Sequence, residues 1–525
     1  MKTLAKWAAL VCMTASAATA QQDGAEDMRP LSAIDWLSES VREPAPAALA
    51  PLPGSRSTRV PPPDEDPVTD SATIPDVSVR PLDAPSADRV GLMSAATTGL
   101  PETLWAGSEA GTLVDLLLAE RVETLAPLRE LLMRLILTEA DPPADAGPEG
   151  RLFLARIDTL LDIGALDPAL AMLEAADPDS PALFRRWFDV ALLTGTERRA
   201  CQVMQAKPGI APTPAARVFC LARAGDWSAA ALTLNTAEAL GDIDAETADL
   251  LAWFLDPELF EGAAPPRPER ITPLVFRMRE AVGEAMGTAA LPRAFAHSDL
   301  RDTVGWKSQI EAAERLLRTG AIPETVLLRL YTQRVPSASG GVWERARAVQ
   351  RLESALTTGD AAATSEALIA AWEQLRDVGT QAVLVDGFAD RLATAELTPR
   401  GADLRYRLLM LTPAYEAHAL DLDLPPDQAL LAALARGQVG TDIPVPRTAR
   451  PVAAAFRDPQ PDATLVAMAQ NDRLGEAILR TIATVQQGLD GDPVAMTEGL
   501  STLRALGLED TARRTALYQL ILSTP

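Results

Sequence analysis

Cys201 and Cys220 are the residues whose type and spacing most directly suggest chemistry, namely oxidation to one disulfide. They stand on either side of a loop at 207–214, on what the surrounding pattern predicts to be neighbouring helices. Closing a loop of about 20 residues contributes about 3 kcal/mol in the chain-entropy model. The alternative is a pair of buried, inert thiols. A catalytic redox pair would need Cys-x-x-Cys spacing, which the chain lacks here.

The other residue types that carry out catalysis do not form a recognisable motif. His297 and His418 are the two histidines, and neither has a second ligand at the spacing of a zinc site. The sequence has no nucleophile elbow, zinc-protease helix, Walker loop or dinucleotide-binding glycine motif. We therefore predict no catalytic residue, no metal site and no cofactor, with both histidines as ordinary surface or loop residues.

An acidic stretch superficially suggests a calcium loop, with Asp242, Asp244 and Glu246 in alternate positions. A calcium-binding loop of the EF-hand type needs glycine at its sixth position and glutamate at its twelfth, where this chain has Thr247 and Trp253. The better interpretation is that Asp244 is the N-cap of the helix that follows.

The elements that would carry these residues are helical hairpins, each marked by a glycine. Gly164, Gly195 and Gly225 are 195 − 164 = 31 and 225 − 195 = 30 residues apart, the period of helix pairs that stack into a solenoid. Asp226 follows the third glycine as a candidate N-cap. Further candidate turns are Gly320, Gly359, Gly437 and Gly507. A buried stripe is predicted for Trp227, Ala230, Ala231 and Leu234, at helical spacing.

At these turns the sequence resembles tetratricopeptide-type helical repeats, most clearly at 222–230 (Ala-Arg-Ala-Gly-Asp-Trp-Ser-Ala-Ala) and more broadly over 150–250. The resemblance implies binding of a protein or peptide in a concave groove. We predict an all-α, right-handed solenoid of stacked helical hairpins. It has an N-terminal part at 101–264 and a C-terminal part at 265–525, divided by the prolines that begin at Pro265.

The first 20 residues match a secretory signal peptide. Lys2 and Lys6 precede an apolar run at 7–13, and small residues lead to Ala20, after which we expect cleavage. The apolar run is shorter than the roughly 18 residues that would span a bilayer. Frequent alanine, and arginine in place of lysine, are typical of a GC-rich bacterium, so the predicted location is the periplasm.

Residues 21–100 are predicted to be a disordered, proline-rich arm because they contain few large apolar side chains. One short amphipathic segment interrupts it at 31–37, where Leu31, Ile34 and Leu37 could share a helical face with Trp36 at its edge. These four residues could dock on a protein partner. The open alternative is that they pack on the chain's own solenoid or have no role.

The formal net charge of −24 becomes −24 − 2 = −26 when the two lysines of the signal peptide are removed. Such an acidic chain is not expected to bind nucleic acid or anionic lipid, and no other apolar run is long enough to insert stably in a membrane. We expect a non-enzymatic periplasmic scaffold or adaptor for an envelope complex concerned with secretion, the cell wall or motility. The alternative is a peptidoglycan-associated hydrolase or glycan-binding protein.

Overall fold

The computed structural model describes residues 86–260, 266–420 and 424–523. The predicted signal peptide and the segment at 31–37 lie outside these residues. The α-helices are α1 Ala95–Thr98, α2 Ala110–Ala119, α3 Ala126–Leu137, α4 Arg151–Ile163, α5 Leu166–Ala175, α6 Pro181–Thr194, α7 Glu197–Ala206, α8 Pro214–Arg223, α9 Trp227–Leu240, α10 Ala245–Leu255, α11 Pro273–Ala281, α12 Trp306–Leu317, α13 Glu324–Thr332, α14 Val342–Thr358, α15 Ala361–Arg376, α16 Ala382–Thr394, α17 Pro399–Leu409, α18 Tyr415–His418, α19 Pro426–Ala435, α20 Arg450–Arg457, α21 Ala463–Ala469, α22 Leu474–Leu489, α23 Pro493–Ala505 and α24 Glu509–Ser523. Short 3₁₀ helices lie at Ala87–Arg89, Pro208–Ile210, Pro257–Phe260, Arg293–Leu300 and Arg447–Ala449.

Consecutive helices pack against each other along most of the chain, and the described residues contain no β-strand. One isolated β-bridge joins Met93 to Thr138. The prediction of an all-α solenoid built from stacked helical hairpins is therefore confirmed.

The hairpin turns follow from local sequence. Gly164, Gly195 and Gly359 end their helices with φ of 87°, 76° and 73°, a left-handed conformation that a β-carbon would strain. Aspartates that directly follow Gly225 and Gly359 cap the next helix: Asp226 accepts a hydrogen bond from the Ala229 amide, and Asp360 accepts one from the Ala363 amide. Each such pair of residues stops one helix and starts its neighbour.

The chain reverses direction after the helices that contain the clearest repeats. Helix α11 packs on α6, and the 3₁₀ helix Arg293–Leu300 packs on both α4 and α6. The Thr319 hydroxyl donates a hydrogen bond of 2.7 Å to the Ile163 carbonyl. Helices α7 to α10 thus extend away from α4 and α6, and α11 brings the chain back. Helix α11 ends at Ala281.

The solenoid closes on itself, because the last helices pack on the first. Helix α24 contacts α3, and α22 contacts α2 and α3. The Gly107 amide donates to the Asp472 carbonyl at 2.9 Å, and the Gly475 amide donates to the Leu104 carbonyl at 3.0 Å. Arg121 adds a bidentate contact to Asp490, with distances of 2.8 and 2.6 Å.

The ordered body begins earlier than the predicted start at residue 101. Asp88 is completely buried and accepts a hydrogen bond from the Phe153 amide at 2.7 Å. The fully buried guanidinium of Arg156 donates to the carbonyls of Asp88, Ile136 and Thr138. Residues 86–100 therefore belong to the body, and the rest of the predicted arm, 21–85, lies outside the described residues.

Candidate functional site

Cys201 and Cys220 lie on the neighbouring helices α7 and α8, and the structure places them as a disulfide with their sulfur atoms 1.97 Å apart. Both cysteines are buried in the apolar core. The bond crosslinks the extended group of helices and contributes no reactive thiol at the surface.

The two histidines stand apart from each other. His297, which we expected at the surface or in a loop, lies in the 3₁₀ helix Arg293–Leu300 with its Nε2 atom 2.6 Å from the Gly164 carbonyl oxygen. Burial lowers the pKa of His297. His418 is half-buried at the end of α18. Neither belongs to a group of three or more metal-ligating side chains within the described ranges.

The acidic stretch at 242–246 does what the helix-capping interpretation predicts. The Asp244 carboxylate accepts hydrogen bonds from both the amide and the hydroxyl of Thr247, each at 2.8 Å. Asp244 thereby satisfies the first turn of α10.

Helix α9 has an unusual exposed face. Its buried stripe consists of Ala230, Leu234 and Ala237. The prediction that Trp227 and Ala231 belong to this stripe is wrong, because both are exposed. The physical reason is that α9 packs closely against α8 and α10 alone, so a narrow stripe is enough to cover its contacts.

The exposed part of α9 is more apolar than is usual for a helix surface in contact with water. Trp227, Leu232 and Leu240 are 52%, 69% and 70% exposed, and they are three of the seven exposed large apolar side chains among the described residues. Glu238 is the one charged residue in the helix. Leu232 and Leu240 lie about 80° apart around the helix, and Trp227 lies about 140° from each of them in the first turn. A helix with most of its surface in water normally has charged residues there, so this exposed surface of α9, which we call the α9 face, has the character of a protein-binding surface.

A central cavity of about 670 Å³ forms where distant parts of the chain meet. Helices α3, α16 and α24 and the turn between α12 and α13 all contribute lining residues. On one wall Arg514 donates to both carboxylate oxygens of Glu130, at 2.5 and 3.0 Å. On another, Arg129 donates to the carbonyls of Thr124 and Arg318. These contacts fix the walls of the cavity.

Carboxylates in the central cavity influence each other. Burial, and then the negative charges of Glu324 and Glu130, raise the pKa of Asp386 to about 6. Burial is the largest single influence on the pKa of Arg514 and lowers it, but the hydrogen bonds to Glu130 and the negative charge of that carboxylate, with smaller contributions from Tyr518 and Asp510, together outweigh burial, so that the pKa is raised. The cavity therefore contains one carboxyl group that titrates in mildly acidic solution beside a fixed ion pair.

An apolar groove of about 750 Å³ lies on the other side of α24, and we call it the C-terminal groove. Helices α19, α22, α23 and α24 and the segment 446–452 line it. Its apolar lining comprises Leu430, Leu431, Pro446, Ala449, Pro451, Val452, Leu489, Pro493, Met496, Leu520 and Ile521. The charged lining residues are Arg407 and Arg447. The chain has a net charge of −24, so a groove whose charged lining residues are both basic differs from the rest of the molecule. Its charge would select for an acidic occupant.

Sequence reasoning missed all three surfaces. The scarcity of charge in 227–240 was a usable signal for the α9 face, whereas the central cavity and the C-terminal groove join segments that no local pattern relates. No family model, curated protein or solved structure matches the chain. None of the helices that the structure describes combines the length and the apolar character needed to cross a membrane.

The candidate docking residues Leu31, Ile34, Trp36 and Leu37 lie outside the described residues.

Proposed function

We propose that this protein is a non-enzymatic periplasmic scaffold or adaptor, built from helical repeats of the tetratricopeptide type, that binds a protein partner in an envelope complex. The predicted signal peptide supports the compartment, and the stacked hairpins support the repeat class. The proposed partner surface is the α9 face, at the far side of the helices that extend from α4 and α6.

The observation that carries the proposal is the concentration of Trp227, Leu232 and Leu240 on one helix that has a single charge. Tryptophan and other large apolar side chains contribute most of the binding energy in protein interfaces, often more than 2 kcal/mol for a central residue. Leaving them in water without a partner gives no stability to the fold. A partner with an apolar patch would cover them.

The test is cross-linking of the tagged, full-length chain in intact cells, followed by mass spectrometry of the captured proteins. The variant is Trp227→Ser, Leu232→Gln and Leu240→Gln together, which makes the α9 face polar. We expect the native chain to capture one envelope complex and the variant to lose it.

The matched control replaces three exposed apolar residues elsewhere, as Val335→Thr, Leu420→Gln and Val494→Thr. This control should capture the same complex as the native chain. Equal capture by all three chains would exclude the α9 face as the binding surface. Recovery of glycan fragments with no protein would contradict the adaptor function itself.

The central cavity supports the second candidate function, a peptidoglycan-associated hydrolase or glycan-binding protein. Its observation is the raised pKa of Asp386 beside Glu324 and Glu130, since glycoside hydrolysis uses paired carboxyl groups of different pKa. Under this candidate, Asp386→Asn would abolish function, whereas a binding scaffold would tolerate the change.

A further inference from the structure

The lining of the C-terminal groove matches the chemistry of an apolar occupant with negative charge. Its floor consists of the buried side chains of Leu430, Leu431 and Val452, and Leu520 forms part of one wall. Arg447 stands exposed at its edge. An apolar peptide that fills such a groove gains roughly 25 cal/mol for each Å² of apolar surface that it removes from water.

The acidic residues nearest to the groove already have partners within the body. Asp490 accepts two hydrogen bonds from Arg121, and Asp492 accepts hydrogen bonds from the amides of Val494 and Ala495 as the N-cap of α23. Arg407, the other basic lining residue, donates to Asp403 at 3.0 Å. The charge that an occupant would meet at the edge is therefore that of Arg447.

One segment of the chain outside the described residues has the matching chemistry. Residues 30–40 contain Leu31, Ile34 and Leu37 at the spacing of one helical face, together with Trp36. Asp35 and Glu39 are the charged residues of this stretch, so it is acidic where the groove is basic. Opposite charges at the edge of an interface select the partner and its orientation.

The chain is long enough for this segment to reach the groove. The 48 residues at 38–85 span about 40 Å on average if they behave as a flexible chain, and proline would extend them further. Met93, near the start of the described body, lines the central cavity together with Leu522 of α24. Leu520 and Ile521 of the same helix line the C-terminal groove. The groove is therefore separated from the central cavity, where Met93 lies, by about one helix diameter, roughly 10 Å.

We propose that the C-terminal groove binds the chain's own residues 31–37, which anchors the N-terminal arm on α19, α23 and α24. The charges of Asp35 and Glu39 match that of Arg447, and the apolar side chains of Leu31, Ile34 and Leu37 match the apolar floor. Because both sites belong to one chain, their effective concentration is about 1 mM, and a contact of modest intrinsic affinity is occupied. This inference is independent of the α9 face and of the proposed adaptor function.

The test uses the purified mature chain, residues 21–525, with the photoreactive amino acid p-benzoylphenylalanine in place of Ile34. Irradiation and mass spectrometry then map the residues that it reaches. We expect crosslinks within the same molecule to residues that line the groove, Met496 and Leu520 among them. The same amino acid in place of Ala47, which lies outside the segment, should give no enrichment in the groove.

Charge variants decide whether the match between segment and groove is specific. Arg447→Glu should reduce the groove crosslinks about threefold or more, as expected when one exposed charge contact is reversed. Arg334→Glu, an exposed arginine elsewhere, should leave them unchanged. Adding Asp35→Arg and Glu39→Arg to the Arg447→Glu chain should restore them, with circular dichroism verifying that each variant is folded.

Three results would overturn the proposal. The first is a set of crosslinks spread over the body, as for position 47, or an absence of crosslinks in the groove. The second is a groove yield that Arg447→Glu does not change. The third is crosslinking between isotopically light and heavy chains in a mixture, because the occupant would then be a second copy.

Discussion

Trp105 lies so close to Gly475 that a β-carbon at position 475 would be 2.3 Å from the indole ring. The indole is completely buried, and the Gly475 amide donates a hydrogen bond to the Leu104 carbonyl beside it. On the other side of this contact a β-carbon at Gly107 would be 2.5 Å from the Asn471 carbonyl oxygen. Two glycines thus allow the first and last parts of the solenoid to meet backbone to backbone.

Gly475→Ala should therefore destabilise the protein, although alanine normally favours a helix. The added methyl group would displace the Trp105 ring or separate α22 from the segment at 103–107, and such overpacking costs about 1–3 kcal/mol. Urea unfolding followed by tryptophan fluorescence measures the loss.

Gly111→Ala is the matched control, since Gly111 also lies in the first turn of a helix at the closing contact but has its nearest neighbour, Arg151, at 3.7 Å. This variant should be neutral or more stable by up to about 1 kcal/mol. Equal effects of the two substitutions would contradict the close approach at Gly475.

Replacement of both Cys201 and Cys220 by alanine should lower the free energy of unfolding by about 2–4 kcal/mol, because the unfolded chain regains the freedom of the loop between them. The measurement is urea unfolding with and without a reducing agent. The native protein should lose stability in the reducing agent, and the double variant should show no further change. Insensitivity of the native protein would mean that the bond does not form.

Local signals in the sequence predicted the hairpins well. Gly164 and Gly195 mark helix ends, and Asp226 and Asp244 mark helix starts, because each acts on the backbone within a few residues of itself. The disulfide could be predicted from the sequence for a related reason, because Cys201 and Cys220 are on consecutive helices.

The contact between the first and last helices of the solenoid had no such local signal in the sequence. Thr103 and Asp472 are joined by a hydrogen bond across 369 positions of the sequence, and nothing near either residue indicates the other. Trp227 was misplaced for a different reason: its apolar character indicates burial, but the number of neighbours available to α9 depends on where the repeats end. The packing of distant segments, and hence the central cavity and the C-terminal groove, requires the three-dimensional structure.

Glu120 predicts a dependence of stability on pH at the closing contact. Burial raises the pKa of Glu120 to about 8 from its usual value near 4.5, and the hydrogen bond from Gln486 on α22 opposes this only in part. Between these two values the folded chain retains a proton that the unfolded chain has lost. The unfolded state therefore binds fewer protons, and the contribution of Glu120 to stability falls as pH rises from about 4.5 to 8.

Glu120→Gln should remove this dependence. The difference in unfolding free energy between the variant and the native chain should increase in favour of the variant from pH 5 to pH 8, and urea unfolding at several pH values measures it. Glu366→Gln, at an exposed position of α15, should follow the native curve. Parallel curves for native and Glu120→Gln chains would contradict the raised pKa.

The charges in the central cavity make a directional prediction for Asp386. Because the negative charge of Glu324 helps to raise its pKa to about 6, Glu324→Gln should lower the pKa of Asp386 below that value. NMR titration of protein labelled with ¹³C at the aspartate carboxyl group measures the shift, and the Asp386→Asn variant assigns the signal. Glu311→Gln removes a carboxylate that pairs with Lys307 on α12 and should leave the titration unchanged. An unchanged or raised pKa in the Glu324→Gln chain would mean that the two carboxyl groups do not share the cavity, and the second candidate function would lose its structural support.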